Sequence, residues 1–536
     1  MYTRGRCAWG SWASGSYLTQ FSTCLESHAS AKCRTFSLRF IYFFLPMRLL
    51  YCLLVLPFLL CFCQKEKFST DPADQLAFSA DTLRFDTVFT QLGSSTRFFK
   101  IYNRRKESIR IAKIYLENGA GSRFNLNIDG VSGDAQENLE IAPNDSMYVF
   151  AEVTVNPNDQ SSPFVITENV VFETNGNIQN VVLEAFGQNA NYIPSRFGAG
   201  GVIGFSCNGG EWVWDDPKPY VIYGILVIDS CTVRIPRGTR VYVHGGLGKF
   251  VDGEGVTQRY NDGFIAFSGQ GKLIVEGDKD APVIFEGDRL EAEFADEAGQ
   301  WTGIWLQSGT TGHSITHCIV RNSVIGIRAD SAVDLQLRST QIYNTASSGL
   351  IGVHANITAQ NCLFYGNTGF GIQLEYGGNY DFSYCTVGSY GVDGEAVRMG
   401  NALCLDENCS EYAANKLTAR FQNCILVGSR PDQITLFDGL NDPSLFDYQL
   451  QNCVVKVRNL INSNAYPDFF DHCAPCLNIT NQDTIFVDIN ARNFHLDTLN
   501  SVANRYAVPI SGITRDLDEK TRDAVMPDAG CFEIEF

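Results

Sequence analysis

Three kinds of residue return in this chain with one shared period. Cys318, Thr340, Cys362 and Cys385 step by 22, 22 and 23 residues. Asn322, Asn344 and Asn367 step by 22 and 23, and Gly326, Gly349 and Gly371 by 23 and 22. A shared period of this length is one rung of a solenoid, in which each coil buries its face only against its neighbours. Asn tolerates left-handed backbone and bonds to its own kind in the next coil, so an Asn column marks a tight turn. The runs between are short and β-like, broken by Gly, Pro and Asp, with no amphipathic helical period, so each coil is strand and turn. The triplet Gln-Asn-Cys followed by two apolar residues recurs at 360–364, 422–426 and 451–455. Cys318, Cys362, Cys385, Cys424 and Cys453 then take matched strand positions, where a small soft side chain is expected to stack in a core ladder. Coils lie about 4.8 Å apart, so Cys318 and Cys362, two coils apart, are too distant for a disulfide.

Upstream of the solenoid, "TLRFDTVF", "TRFFKIYN", "SIRIAKIYL" and "LEIAPNDSMYVFAEVTV" alternate apolar and polar residues between turn signals. Period-two runs of this number and spacing predict a β-sandwich over 70–191. A Gly-rich, aromatic stretch over 192–219 reads as a connector and N-terminal cap, with Trp212, Trp214 and Tyr220 covering the open end of the first coil. The β-helix is expected over 220–500 and a C-terminal cap segment over 501–536. The fold class is therefore all-β, an N-terminal sandwich followed by a parallel solenoid.

On these columns, residues 220–500 resemble the right-handed parallel β-helix of the pectin-lyase-like superfamily. "APVIFEGDRL", "GQWTGIWL" and "MPDAGCFE" resemble landmarks of β-helix-repeat lipoproteins of Gram-negative bacteria, and residues 70–191 resemble immunoglobulin-like modules of envelope proteins. The resemblance implies the fold and says little of activity, because β-helices carry many unrelated functions.

"MRLLYCLLVLPFLLCFC", from Met47, places one cation before an apolar run from Leu49 to Phe62. That run suits a signal-peptide core rather than a membrane span. Residues 47–63 resemble a lipoprotein signal, with Cys63 as the lipid acceptor and Cys61 as the alternative; a plain signal peptide or an uncleaved anchor is the other reading. Residues 1–46 read as an upstream extension. The expected location is the cell envelope, on the outer membrane, with membrane contact through the lipid anchor only. A net charge of −18 repels nucleic acid, which excludes it as an expected partner.

Chemistry is sought first in "FEGDRLEAEFADEAGQW" (285–301), where Glu286, Asp288, Glu291, Glu293, Asp296 and Glu297 surround Arg289. Gathered carboxylates could hold Ca²⁺ through oxygen ligands or serve as an acid–base pair in glycoside hydrolysis. A solvated loop between coils is the plain alternative. In lyases of the resembling fold a basic residue removes the sugar α-proton beside Ca²⁺, so the resemblance makes Arg289 the catalytic candidate. No resident cofactor is expected, with Ca²⁺ the one ion this loop could take.

Trp301, Tyr376 and Tyr380 are candidates for stacking on sugar rings. His313 and His317, four apart on strand-rich sequence, do not share the face that a helical metal pair needs. Cys404 with Cys409, and Cys473 with Cys476, lie in polar segments read as outside the ladder, where local disulfides, free thiols or a metal site are open. No zincin, nucleophile-elbow, P-loop or dinucleotide motif occurs. The expected function is binding of a surface polymer, a polysaccharide above all. A polysaccharide lyase or glycoside hydrolase, and a structural or adhesive role, are the alternatives.

Overall fold

The computed structural model describes residues 67–90, 93–156, 164–193, 202–251, 256–292, 294–406, 411–462, 466–498 and 500–534, with backbone alone at 247–251 and 258–261. Cys61, Cys63, Glu293 and Cys409 lie outside the described residues.

The first 120 or so described residues fold as two facing sheets. One runs Phe68–Ser69, Ser108–Leu116, Phe164–Thr174, Asn177–Gln188, Thr82–Phe89, with Ala135–Ile141 beside Ser108–Leu116. The other runs Ala77–Phe78, Arg97–Tyr102, Ser146–Val153, Phe124–Ile128, Val131–Gly133. Alternate residues of both sheets, among them Phe85, Phe99, Ile111, Phe124, Val149, Phe172 and Leu183, close one buried core. Asn175 and Gly176, both at positive φ, turn the longest hairpin, as a two-residue turn that matches strand twist requires.

The rest is a parallel β-helix with three columns of strands. Column one contains eleven parallel strands from Asn191–Ile193 to Cys476–Asn478. Column two runs from Val202–Phe205 to Ile434–Phe437, and column three from Glu211–Val213 to Phe446–Gln451. Leu350–Gln360 and Ile372–Ser383 pass through both of these columns, bending at His354 (φ 54°) and Tyr376 (φ 61°). The first coil starts at Asn191, one turn earlier than the sequence pattern predicts. Its strands at 191–213 are short and Gly-rich, which hides their period. Trp214 is buried and stacks on Tyr220 with ring centroids 4.9 Å apart, and Trp212 meets Trp214 edge-on at 5.3 Å. A disulfide between Cys207 and Cys231 ties the first coil to the second.

The ladder follows the strand register. Cys318, Thr340, Cys362, Cys385, Cys424 and Cys453 stand on successive coils, and all of these cysteines are free and buried. Cys476 pairs in register with Cys453, so it continues the ladder instead of lying outside it, and its sulfur is bonded to Cys473. Cys404 is also disulfide-bonded.

The residue before each ladder position is left-handed: His317, Ser339, Asn361, Tyr384, Asn423 and Asn452 have φ between 43° and 57°. The Asn column of the period analysis shifts by one residue at its third member. Asn322 and Asn344 bond side chain to side chain at 2.8 Å, but the next left-handed residue is Gly366 (φ 61°). Asn367 instead accepts from Thr345 Oγ1 at 2.9 Å. Glycine reaches that backbone freely, which releases the Asn for a neighbouring task. The Gly column stays in register, because Ile327, Leu350 and Ile372 pair in turn.

After Cys476–Asn478 the chain turns back. Ile485, Phe486, Phe494, Leu496, Ala503, Leu517, Cys531 and Phe532 pack on the outer side of column one against Leu363, Ile425, Val427 and Val454. The C-terminal stretch is thus a strap along the coils.

Candidate functional site

The acidic loop disperses its charges. Glu286, almost fully buried, lies between Arg240 (3.2 Å) and Arg321 (2.5 Å), a closed ion-pair group on column one. Asp288 accepts from His244 Nδ1 at 2.7 Å. Glu291 takes Ser95 Oγ at 2.5 Å and Arg289 Nε at 3.0 and 3.1 Å, while the Arg289 guanidinium lies over the Phe294 ring at 4.1 Å. Asp296 faces Arg492 at 3.5 Å, and the Glu297 carbonyl accepts from Gln300. Among the described residues no three His, Cys, Asp or Glu side chains are placed to share a metal ion.

Part of the loop does meet something that no local motif signals. Asp288, Arg289 and Glu291 line a cleft of about 260 Å³ together with His244 and residues 85–89 and 93–95 of the sandwich. His244 stacks flat on Tyr223, ring centroids 4.1 Å apart. Burial alone would push this imidazole down, and the Asp288 carboxylate outweighs it, so the histidine titrates above its ordinary range. Burial likewise opposes ionisation of Glu291, and its bonds to Ser95 and Arg289 reverse that to hold the carboxyl low. His244 and Asp288, and Arg289 and Glu291, are paired with each other on the β-helix side, and Ser95 reaches Glu291 across the sandwich–helix junction.

Two of the three aromatic candidates are core residues. Trp301 is 1% exposed and donates Nε1–H to the Arg321 carbonyl at 2.9 Å. Tyr380 is 3% exposed and donates to the Gly377 carbonyl at 2.9 Å. Tyr380 falls on the inner face of Ile372–Ser383, while Trp301 lies two residues before Gly303–Leu306 and packs into the same core. Tyr376 is half-buried at the bend that ends column two, its ring 5.9 Å from that of His354.

That bend borders an extended outer face where rings, guanidinium groups and amides share a register. Trp305, Arg328, Ile351, Gln373, Arg398 and Thr435 are paired one to the next across successive coils, about 4.8 Å apart. On the coil before, Ala266 pairs with Trp305 and Phe264 with Gly303, the Phe264 ring lying 6.0 Å from that of Trp305. Trp305 donates Nε1–H to Asp330 Oδ2 at 2.6 Å, and Arg328 Nε–H reaches Asp330 Oδ1 at 2.8 Å. The Arg328 guanidinium stands 5.3 Å from the Trp305 ring. Two coils on, Glu375 receives Gln373 (3.1 Å) and Arg398 Nε (2.6 Å), with Phe370 and Phe437 within 5.8 Å of the Arg398 guanidinium. Both carboxylates hold their arginines by Nε. Sequence reasoning passed over this face because its members stand 22–37 residues apart and differ in type.

A family description, a right-handed β-helix region, matches residues 291–455. No curated protein matches the chain. Among solved structures, a family 123 glycoside hydrolase from Clostridium perfringens is similar at 6% identity over 22% of this chain, TM-score 0.16. That match spans only 30% of the enzyme's length. A GH87 α-1,3-glucanase catalytic unit from Streptomyces thermodiastaticus is similar at 9% identity, over 67% of this chain and 74% of that one, TM-score 0.25. The periplasmic alginate epimerase AlgG is similar at 11% identity, over 48% and 77%, TM-score 0.17.

Proposed function

We propose that this is a cell-envelope protein that holds a polysaccharide along the outer face of column two. The observation that carries the reading is the Trp305–Arg328–Gln373–Arg398 register. A sugar polymer offers flat apolar ring faces and a fringe of hydroxyl or carboxylate groups at short regular intervals. Stacked planar side chains with hydrogen-bond donors between them match both features. Binding of this kind needs no cofactor. The disulfides Cys207–Cys231 and Cys473–Cys476 support an oxidising compartment, in keeping with a lipid anchor at Cys63, or Cys61, on the outer membrane. The sandwich, read as an immunoglobulin-like module, stands between anchor and solenoid in the chain.

The test is affinity electrophoresis and calorimetry of the whole protein against a panel of soluble polysaccharides. Trp305→Ala should weaken binding of the selected polymer roughly tenfold with an unchanged melting temperature. Equal affinity in a folded Trp305→Ala, Arg398→Ala double variant would sink the reading.

A second reading, a polysaccharide lyase or glycosidase, has one observation in its favour, the His244–Asp288 pair beside Arg289 and Glu291. Its cleft is smaller than the roughly 300–1,000 Å³ usual for ligand sites, and its charges are mutually engaged. Unsaturated, ultraviolet-absorbing products formed by the protein and lost in His244→Ala would favour this reading over simple binding.

A further inference from the structure

The outer face of one sheet carries solvated ion pairs, Arg84–Glu184, Arg110–Glu140 and Lys113–Glu137, with Arg110 over the Phe68 ring and Lys113 over that of Tyr115. The other sheet gathers three rings on two adjacent strands. Strands Arg97–Tyr102 and Ser146–Val153 are antiparallel neighbours with Phe98 opposite Phe150 and Lys100 opposite Tyr148. Their alternate residues Phe99, Ile101, Val149 and Ala151 fill the core, which turns Phe98, Lys100, Tyr148 and Phe150 outward. Phe98 is 52% and Tyr148 39% exposed. The three ring centroids are 5.4, 5.7 and 5.8 Å apart, and Tyr148 and Phe150 lie within 13° of parallel. Lys100 Nζ sits 4.5 Å above the Tyr148 ring. Asn127, from the next strand, stands opposite Phe150.

An exposed ring cluster of this sort costs solubility unless something covers it. Its surroundings say what kind of partner fits. In a chain of net charge −18, this patch has cations, Lys100 on Tyr148 and Arg104 beside Tyr102. Its neighbouring carboxylate, Glu152, is engaged by Thr96 Oγ1. Near-parallel rings with an ammonium and an amide at their edge are complementary to sugar rings that carry carboxylates. A hydrophobic protein partner would not call for the cation, and at this face Lys100 and Arg104 locally offset the charge of the whole chain, which opposes any polyanion.

We infer that this face of the sandwich is a second binding surface, for an acidic polysaccharide, with Phe98, Tyr148 and Phe150 as the stacking platform and Lys100 as the carboxylate contact. The inference rests on the polysaccharide reading for the class of polymer and on none of its residues. Two sites on one chain would raise avidity for a long polymer beyond either alone.

The experiment uses the full chain with soluble polygalacturonate as the acidic probe and dextran as the neutral one. A Phe98→Ala, Tyr148→Ala double variant should bind polygalacturonate roughly tenfold more weakly at an unchanged melting temperature, since both side chains are exposed. Lys100→Gln should flatten the salt dependence of polygalacturonate binding and leave dextran binding as it was. Unchanged polygalacturonate affinity in the double variant, while Trp305→Ala weakens it, overturns this inference and leaves the column-two reading standing. Weakening by the platform variant alone, with Trp305→Ala silent, supports the platform and overturns column two. A platform variant that instead loses self-association in sedimentation, or loses binding to phosphatidylglycerol vesicles, assigns the face to a second copy or to the membrane and overturns the inference. So does failure of the wild-type chain to bind either probe.

Discussion

Each residue of the Gln-Asn-Cys triplet has its own physical task. Gln closes the strand of column three, Asn supplies the left-handed turn, and Cys points inward. Burial pushes the Cys362 and Cys385 thiols far above their usual range, so the ladder is chemically inert. Cys362→Ala should cost less stability than Cys362→Ser, whose hydroxyl loses roughly 1–3 kcal/mol if it finds no partner; chemical denaturation checks the order. A reversed order would mean that the site is polar. His313 gives a second test at this scale. It is 1% exposed, takes the Leu273 N–H on Nδ1 at 3.1 Å and meets Thr310 Oγ1 through Nε2 at 2.9 Å. The ring therefore sits neutral. Burial, aided by Lys272, pushes its pKa down to about 4. An unfolded histidine titrates near 6.5, so between those values the unfolded chain binds more protons. Stability is full above pH 6.5 and declines as pH falls toward 4, by on the order of 3 kcal/mol. Melting curves across this window should slope in the wild type and flatten in His313→Gln.

At the scale of elements, the triplet asparagines also hold the C-terminal strap. Asn423 Nδ2 donates to the Val508 carbonyl at 2.7 Å, and Val508 N–H returns to Asn423 Oδ1 at 3.1 Å. Asn361 bonds the Arg515 carbonyl at 2.8 Å. Turn and docking can be separated by substitution. Asn423→Gly keeps the left-handed turn and loses the docking bonds; Asn423→Ala loses both, at an added cost of about 1 kcal/mol for the strained backbone. Limited proteolysis should cut the 501–534 region faster in both variants, while the melting temperature should fall further in Asn423→Ala. Equal strap protection in wild type and Asn423→Gly would show that apolar packing alone holds the strap. The Gly column obeys a steric rule of the same sort. A Cβ on Gly349 would lie 2.8 Å from the Gly371 carbonyl oxygen and from Asn367 Nδ2, so the coils could not close on each other.

For the whole molecule, the open question is attachment. If Cys63 carries lipid, Cys63→Ala should move the protein from the membrane to the soluble envelope fraction, as read by fractionation and blotting. Persistent membrane partition in a Cys61→Ala, Cys63→Ala double variant would rule out lipid attachment at this signal. The fold class was legible because it is periodic. A Cys column, a Gly column and alternating runs each repeat a local rule, and a local rule survives in a single sequence.

What sequence alone determined is therefore the solenoid, its ladder and the sandwich before it, all set by hydrophobic period and by turn residues that only certain backbones admit. Tertiary structure decided the rest. It buried Tyr380, because one-residue parity on a strand chooses the face, and it buried Trp301, which lies before Gly303–Leu306, where strand parity does not apply. It split the acidic loop among His244, Arg289, Arg240 and Arg321, partners 2 to 46 residues away. It gathered Trp305, Arg328, Gln373 and Arg398 from four coils into one line. A site made of one residue per coil has no local signature; it exists only once the coils are stacked.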